Sequence, residues 1–475
     1  MRQLFRPPGR EDVLQGPILR TMARIGVPAV LSSVLFTLYN LTDAFWIGRL
    51  PGDQPEAVMA GIQISWPFVW LLISFIAGFA GAAVTALVAQ NIGADRPKEA
   101  NTAMNQLVSL SLIASVVIGV AGFFSMDWIL SLLVTDTDVA YQAELYMRIL
   151  FLGMPTMMLP QLFYMALSAT GDTITPLIVS IIGVTINIPL DALLILGPGS
   201  IPQMGIRGVG IATVISQGIA TLIFIFVFLR RRGVLHLDRK ALVLRWKWMW
   251  KALRIGTWAA IGQASVALGF TVMIAVIGRL ENASAALAGY GVADRVFGLL
   301  FIATDGLGIG LTTMVGQALG AGSMDRALHV VKKGVRALFI IVVIEAVFLY
   351  IARYPMIRIF LPGDLESVHV GARFIQLFAA GMPFLAAFFA AHAIYRGAGH
   401  NFPTMVLGVL RVWVLRIPLS YALAFLLGMG ADGVWIGMSL SNVVSGLVAV
   451  AFLLSKSWQR SVIDPEGPQT ADLTD

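Results

Sequence analysis

The chain has 475 residues, of which 58% are hydrophobic and only 12% are charged, and its mean hydropathy is +0.83. Soluble domains average about 25% charged residues, so this composition excludes a soluble globular protein and predicts an integral membrane protein. The net charge of +7 does not indicate a nucleic-acid partner, because the basic residues lie in short connections between apolar blocks. Cysteine is absent, which excludes disulfides and thiolate metal sites.

Apolar blocks recur along the whole chain, and a block of about 20 residues is long enough to cross the hydrocarbon core. We therefore predict an all-α integral membrane protein with twelve transmembrane helices. The predicted spans are 24–48, 57–91, 102–125, 145–169, 174–196, 207–229, 255–278, 285–318, 337–352, 372–395, 402–427 and 432–455. Prolines that predict kinks lie at Pro28, Pro67, Pro155, Pro189, Pro383 and Pro418.

The connections between these blocks alternate in charge. The connection at 230–254 is strongly basic, whereas the loop after the third span is acidic through Asp127, Asp136 and Asp138. Basic loops stay on the cytoplasmic side. We therefore expect a multi-pass protein of the inner membrane with both termini in the cytoplasm, including the short tail at the end of the chain.

Four short signatures of the first half return in the same order in the second half. Ile-Gly-Arg-Leu at 47–50 returns at 277–280, the loop at Gln90 returns at Gln317, Gly-Met-Pro at 153–155 returns at 381–383, and Ile-Pro-Leu at 188–190 returns at 417–419. The repeat predicts two six-helix lobes, at 1–229 and 255–475, joined by a basic cytoplasmic linker at 230–254. Parallel repeats of this kind enclose a cavity that can open alternately to either side of the membrane.

Comparison of the two halves singles out polar residues that the shared fold does not require. Asp43 aligns with Met273, Asn187 with Arg416, and Asp191 with Ser420. A carboxylate at mid-depth in lipid costs several kcal/mol unless it is protonated, paired or hydrated. Proton uptake or Na⁺ binding would neutralise the two acids, although they could instead be neutral acids that are hydrogen-bonded for packing. Asn187 and Asp191 share a helix face. We expect further polar groups at Tyr39, Asn40 and Thr213.

The second half has a different set of polar residues within its predicted spans. They are Asp294, Arg295, Asp305, Glu345, His392, Arg411 and Arg416. Opposite charges are available here, so we favour a structural ion-pair network over a substrate contact. His392 is a candidate proton carrier or a packing residue, and Glu345 has no evident partner in its own helix.

The chain resembles the multidrug and toxic compound extrusion (MATE) family over almost its whole length. The likeness is carried by Gly-Val-Pro at 26–28, Asn-Leu-Thr-Asp at 40–43, the paired loops at Gln90 and Gln317, the segment 187–191 and the segment 411–418. The resemblance implies two lobes in a V shape. It is closer to the DinF-like branch, in which Asp43, Asn187, Asp191 and Thr213 would match the cation site and Pro28 the hinge of the first helix. The second lobe lacks the acids of the NorM-like branch.

We therefore expect a secondary active efflux antiporter that exports organic, cationic or amphipathic compounds in exchange for H⁺ or Na⁺. We expect a monomer in the lipid bilayer that needs no cofactor. An enzyme is disfavoured because the sequence offers no convergent catalytic constellation. The alternatives are a flippase for a lipid-linked precursor, which would need a cationic cavity, and a channel, which the residue chemistry alone does not exclude.

Overall fold

The structure is a computed structural model that describes residues 6–50, 58–59, 61–62, 65, 77–131, 137–199, 202–230 and 233–463. Much of the predicted second span lies outside the described residues. The same holds for Pro67, Asp136, Arg231, Arg232 and residues 464–475, which are most of the predicted tail after Trp458. Every regular element within the described ranges is helical, which confirms the prediction of an all-α protein.

The helices of the first half follow one another with short connections. They are α1 (Arg10–Gln15), α2 (Ile18–Ile47), α3 (Ala82–Gly93), α4 (Pro97–Ser131), α5 (Thr137–Leu152), α6 (Met154–Thr170), α7 (Ile174–Leu196) and α8 (Ile206–Leu229). A π-helical turn, Ala77–Gly81, leads into α3.

The second half repeats this order. Its helices are α9 (Trp246–Ile277), α10 (Ala283–Gly320), α11 (Met324–Phe360), α12 (Leu365–Ala398), α13 (Phe402–Val409), α14 (Ile417–Tyr421) and α15 (Gly430–Leu454). Two π-helical segments, Leu410–Arg416 and Ala422–Leu426, flank α14, so that α13 and α14 form one span. Helix α9 begins at Trp246, so the last part of the predicted linker is helical.

Ten of the described helices are long and apolar enough to span a membrane, and α5 with α6 adds a bent eleventh. The shorter apolar helix at Gly78–Gly93 occupies the described end of the predicted second span. Span nine is longer than predicted, because α11 runs from Met324 to Phe360. The chain is a multi-pass membrane protein, as its composition predicts.

Span four is bent by 56° between α5 and α6. Gly153 lies at the break, where an added Cβ would come within 2.2 Å of a Val214 methyl group. Pro155 stands in the first turn of α6, where a backbone N–H has no acceptor within the helix. The predicted kink at Pro155 is therefore a break between two helices.

The lobes meet along two helix crossings that the repeat relates to each other, α2 against α10 and α3 against α9. Small residues allow the close approach. A Cβ on Gly26 would lie 3.0 Å from the Gly306 carbonyl oxygen, and a Cβ on Gly256 would lie 2.3 Å from that of Phe79. Larger side chains at these positions would push the lobes apart.

The lobes are also joined at the end that carries the basic loops. Gln90 of α3 donates from Nε2 to the Gly397 and Ala398 carbonyls at 3.0 Å each, and Gln317 of α10 donates to the Ala169 carbonyl at 3.0 Å. Gln90 Oε1 accepts hydrogen bonds from the segment Ser461–Ile463. The end of the described chain is therefore bonded to the first lobe.

Candidate functional site

Two carboxyl groups of the first lobe meet between α2 and α7. Asp43 of α2 and Asp191 of α7 lie within side-chain hydrogen-bonding reach of each other. Asp191 is fully buried and Asp43 is partly buried. Two carboxylates this close cannot both stay charged without a proton or a cation between them. The structure brings together the two acids that the repeat comparison singled out.

Asn187 and Thr213 complete a cluster of oxygen atoms around this pair. Asn187 Nδ2 donates to Asp191 Oδ1 at 3.3 Å, and its own Oδ1 is buried without a hydrogen-bond partner among the described residues. Asp43 Oδ1, Asp191 Oδ2 and Thr213 Oγ1 are also buried and have no hydrogen-bond partner among the described residues. Unpartnered buried polar atoms are rare and costly. Four such oxygens in one place form a set that a proton or a hard cation would satisfy.

Two residues that the sequence did not single out, Ser216 and Tyr146, adjoin the cluster. The hydroxyl of Tyr39 shares a 3.0 Å hydrogen bond with Ser216 Oγ, one turn after Thr213 on α8. Tyr146 of α5 is 4% exposed and interacts electrostatically with both Asp43 and Asp191. Tyr146 could not be identified from the sequence, because its proximity to the acids crosses between helices and involves no local motif.

The other predicted positions on α2 lie outside the oxygen cluster. Asn40 donates from Nδ2 to the carbonyl of Phe36 at 2.9 Å and so bonds its own helix. Pro28 lies inside α2, which continues through it without a break, and Ser32 Oγ donates to the Pro28 carbonyl at 3.1 Å. A hinge at Pro28 therefore stays a prediction.

In the second lobe the predicted ion pairs are not formed. Within the described ranges, no nitrogen of Arg295, Arg411 or Arg416 lies within 4.0 Å of an acidic oxygen of Asp294 or Asp305. Asp294 and Asp305 are exposed on α10, whereas Arg411 and Arg416 are buried on the π-helical segment of span eleven. The expectation of direct pairing was wrong because the backbone of that span turns both arginines inward.

Arg416 is instead held by neutral groups. Its Nε donates to Ser441 Oγ at 3.2 Å and its Nη2 donates to Asn442 Oδ1 at 2.8 Å, both on α15. Asp294 acts on Arg416 only electrostatically, from beyond pairing distance. Arg416 is thus fixed in the interior of the lobe without a carboxylate partner among the described residues.

His392 and Glu345 have partners that the sequence could not predict. The ring of His392 lies 4.2 Å from that of Phe388, and its Nδ1 is 3.0 Å from the Phe388 carbonyl. Both carboxyl oxygens of Glu345 accept from the hydroxyl of Thr304 on α10, at 3.3 and 3.2 Å. Both residues lie inside the second lobe and away from the oxygen cluster of the first.

Comparisons with known proteins agree with this architecture. Residues 28–193 and 259–422 match the family model MatE. The chain is 28% identical over 447 residues to "Probable multidrug resistance protein YoeA" of Bacillus subtilis, and the match covers 92% of this chain and 93% of the relative. It is 25% identical over 448 residues to "Probable multidrug resistance protein NorM" of Thermotoga maritima, covering 94% of each. A solved structure described as the outward-facing conformation of a multidrug resistance MATE family transporter is similar at a TM-score of 0.87, with 19% identity, covering 96% of this chain and 100% of that chain.

Proposed function

This chain belongs to the MatE family of membrane transporters and is not an enzyme, and on that premise we propose that it is a secondary active efflux antiporter. The family membership confirms the resemblance predicted from the sequence. The relatives YoeA and NorM are described as probable multidrug resistance proteins. We propose organic compounds, cationic or amphipathic, as the cargo and H⁺ or Na⁺ as the coupling ion. The assignment to the DinF-like branch stays a prediction.

The observation that carries this proposal is the pair Asp43 and Asp191 with the unpartnered oxygens of Asn187 and Thr213 around it. In our account, the acids charge and neutralise in turn. A proton would bind to a carboxyl oxygen of the pair, and Na⁺ would take the same oxygens as ligands. Either ion removes the repulsion between the two carboxylates, so α2 and α7 can pack more closely at this point.

Coupling follows if the two charge states favour different shapes of the first lobe. The charged pair repels and favours the wider cavity that accepts substrate, whereas the neutral pair favours the narrower one. We propose that α2 bends at Pro28 as the cavity narrows, which expels the substrate outward. Antiport then results because ion and substrate favour opposite shapes. No direct contact between ion and substrate is needed.

We propose that residues 1–229 and 255–475 form the two lobes and that residues 230–254 link them. We also propose that the protein is a monomer in the inner membrane with both termini in the cytoplasm. The basic connection at 230–254 supports this orientation, because basic loops stay on the cytoplasmic side. A flippase for a lipid-linked precursor remains the alternative. The anionic oxygen cluster of the first lobe favours the antiporter, since a pyrophosphate-bearing lipid would need cationic surroundings there.

The test is transport by purified protein in liposomes with tetraphenylphosphonium as the probe, a pH gradient and a sodium gradient being imposed separately. We expect the probe to accumulate against its own gradient under one of the two. Equilibration without accumulation under either gradient would contradict an antiporter. Drug resistance of cells that carry Asp43→Asn or Asp191→Asn gives the second test. Undiminished resistance at full expression would leave these acids with a packing role only.

A further inference from the structure

Two arginines of span eleven are brought to one face by a local change of helix type. Arg411 and Arg416 are five residues apart, and in an α-helix they would point about 140° away from each other. The segment Leu410–Arg416 is π-helical, and its i→i+5 hydrogen bonds place residues five apart on the same face. Both side chains are buried, at 9% and 1% exposure. π-Helical turns inside α-helices are frequently found at functional sites.

The two arginines differ in their hydrogen-bond partners. Arg416 donates to Ser441 and Asn442. Arg411 donates no hydrogen bond to any described residue, and its buried Nε has no partner. The charge that acts on it is that of the neighbouring cation Arg416. A buried cation beside a second cation is costly unless an anion accompanies it.

The surroundings of Arg411 suit an amphipathic molecule. Its guanidinium lies 4.7 Å over the ring of Phe388, and the ring of His392, on the same helix α12, lies 4.2 Å from that ring. His392 lines a cavity of about 60 Å³ at the junction of the lobes, together with Arg396, Gly408 and residues of α3 and α9. Gly408 lies one turn before Arg411 on the same span. The cavity therefore comes within one turn of the unpartnered arginine.

The repeat indicates that these charges are not needed for the fold. Aligned at the offset of the Ile-Pro-Leu signature, Ile182 stands in the first lobe where Arg411 stands in the second, and Asn187 where Arg416 stands. The first lobe forms the same span, α7, as a continuous helix with neither arginine. The second lobe thus carries a buried cationic site for a reason other than its architecture.

We propose that Arg411, supported by Arg416 and His392, binds an anionic group of the transported compound, a carboxylate or a phosphate, while Phe388 packs against its apolar body. This inference rests on the proposed efflux function and adds to its substrate class amphipaths that carry a negative charge, zwitterions included. A guanidinium is suited to this role, because its planar fork binds carboxylate and phosphate through two hydrogen bonds.

The test uses two probes that share an aromatic body and differ in charge, 1-naphthylacetate and 1-naphthylmethylammonium. Binding to the full-length protein is measured by calorimetry in phosphatidylcholine nanodiscs, with subtraction of protein-free discs. We expect Arg411→Gln to weaken naphthylacetate binding by at least about tenfold and to leave naphthylmethylammonium within about twofold. Arg279→Gln is the matched control, since it removes the same charge from an exposed loop.

Arg411→Lys keeps the charge but loses the planar fork, so it should weaken naphthylacetate binding by a smaller factor and tests the site should Arg411→Gln not fold. A second set of discs contains phosphatidylglycerol. Unchanged naphthylacetate affinity there supports a substrate site, and strong competition would assign the arginine to a lipid headgroup and overturn the proposal. So would equal effects of Arg411→Gln and Arg279→Gln, or no naphthylacetate binding by the unmodified protein.

This test is separate from that of the efflux function. Gradient-driven transport of tetraphenylphosphonium could persist while Arg411→Gln leaves naphthylacetate binding unchanged, and only the anion site would then be refuted. Arg411-dependent binding without gradient-driven transport would refute the antiporter and leave the site in place.

Discussion

The closed basic end of the molecule depends on two glycines at which α3 and α10 cross. A Cβ added to Gly320 would lie 1.9 Å from the carbonyl oxygen of Gln90, and one added to Gly93 would lie 1.9 Å from that of Gln317. The obstructing atoms are backbone, so neither can turn away as a flexible side chain could. We expect Gly320→Ala to force α3 and α10 apart and so to favour opening at this end.

The size of the effect follows from the cost of overpacking. Extra methyl groups in well-packed interiors cost about 1–3 kcal/mol. That strain is released when the lobes separate, so the open population should rise by about 5-fold to 150-fold. Gly298→Ala on the same helix is the matched control, because a Cβ there would meet nothing within 4 Å. The control should leave the equilibrium unchanged.

The absence of cysteine makes the assay direct, since two introduced cysteines are the only labelling sites. Spin labels at the exposed positions Lys98 and Leu328 report the separation of α4 and α11 beside the crossing. Double electron–electron resonance should show a longer-distance population that grows in Gly320→Ala and not in Gly298→Ala. An unchanged distance distribution in Gly320→Ala would refute the view that this crossing holds the end closed.

Three further predictions concern the ends of helices near the basic loops. Gln90→Leu removes the acceptor for the segment Ser461–Ile463, so the amide protons of that segment should exchange faster than in the unmodified protein; equal rates would contradict the bonding described above. Asp172 accepts hydrogen bonds from Thr175 and so caps the start of α7. Asp172→Ala should lower the free energy of unfolding by about 1 kcal/mol, seen as a reduced Tm. An unchanged Tm would show that this cap is dispensable. His400 Nε2 lies 3.0 Å from the carbonyl of Arg460, which directly precedes the same segment. Burial lowers the pKa of His400 below its ordinary value of 6.5, so the stability that its neutral form contributes is present above pH 6.5 and declines as the pH falls below it. Exchange of the segment Ser461–Ile463, corrected for intrinsic rates, should accelerate there, and a pH-independent rate would refute this.

The site of the first lobe was largely predictable from the sequence. Asn187 and Asp191 are four residues apart on one helix, and the internal repeat showed that neither they nor Asp43 are required by the fold. The spacing of these residues and the free-energy cost of a carboxylate in lipid were enough to select them. Tyr146 was missed because it lies on a different helix, α5, and reaches the acids only electrostatically. Asn40 was included because a helix face alone does not reveal that a side chain bonds its own backbone.

The second lobe was harder to predict because its backbone departs from the α-helix. The sequence offered Asp294 and Asp305 as partners for Arg411 and Arg416, and opposite charges in one lobe favoured pairing. The π-helical turn rotates the two arginines to one face and into the interior, and no residue pattern in the sequence predicts this turn. The break at Gly153 was equally hard to predict. The neighbouring Pro155 predicts a kink, but the close packing of Val214 on Gly153 is seen only in the structure.

The central claim is that Asp43 and Asp191 couple an ion gradient to export. The most direct measurement compares gradient-driven accumulation of tetraphenylphosphonium in liposomes that contain the unmodified protein, Asp43→Asn, Asp191→Asn or the exposed-acid control Asp127→Asn. We predict that each of the first two substitutions reduces accumulation to that of protein-free liposomes and that Asp127→Asn retains it. Full accumulation by Asp43→Asn and Asp191→Asn at equal protein content would contradict the account.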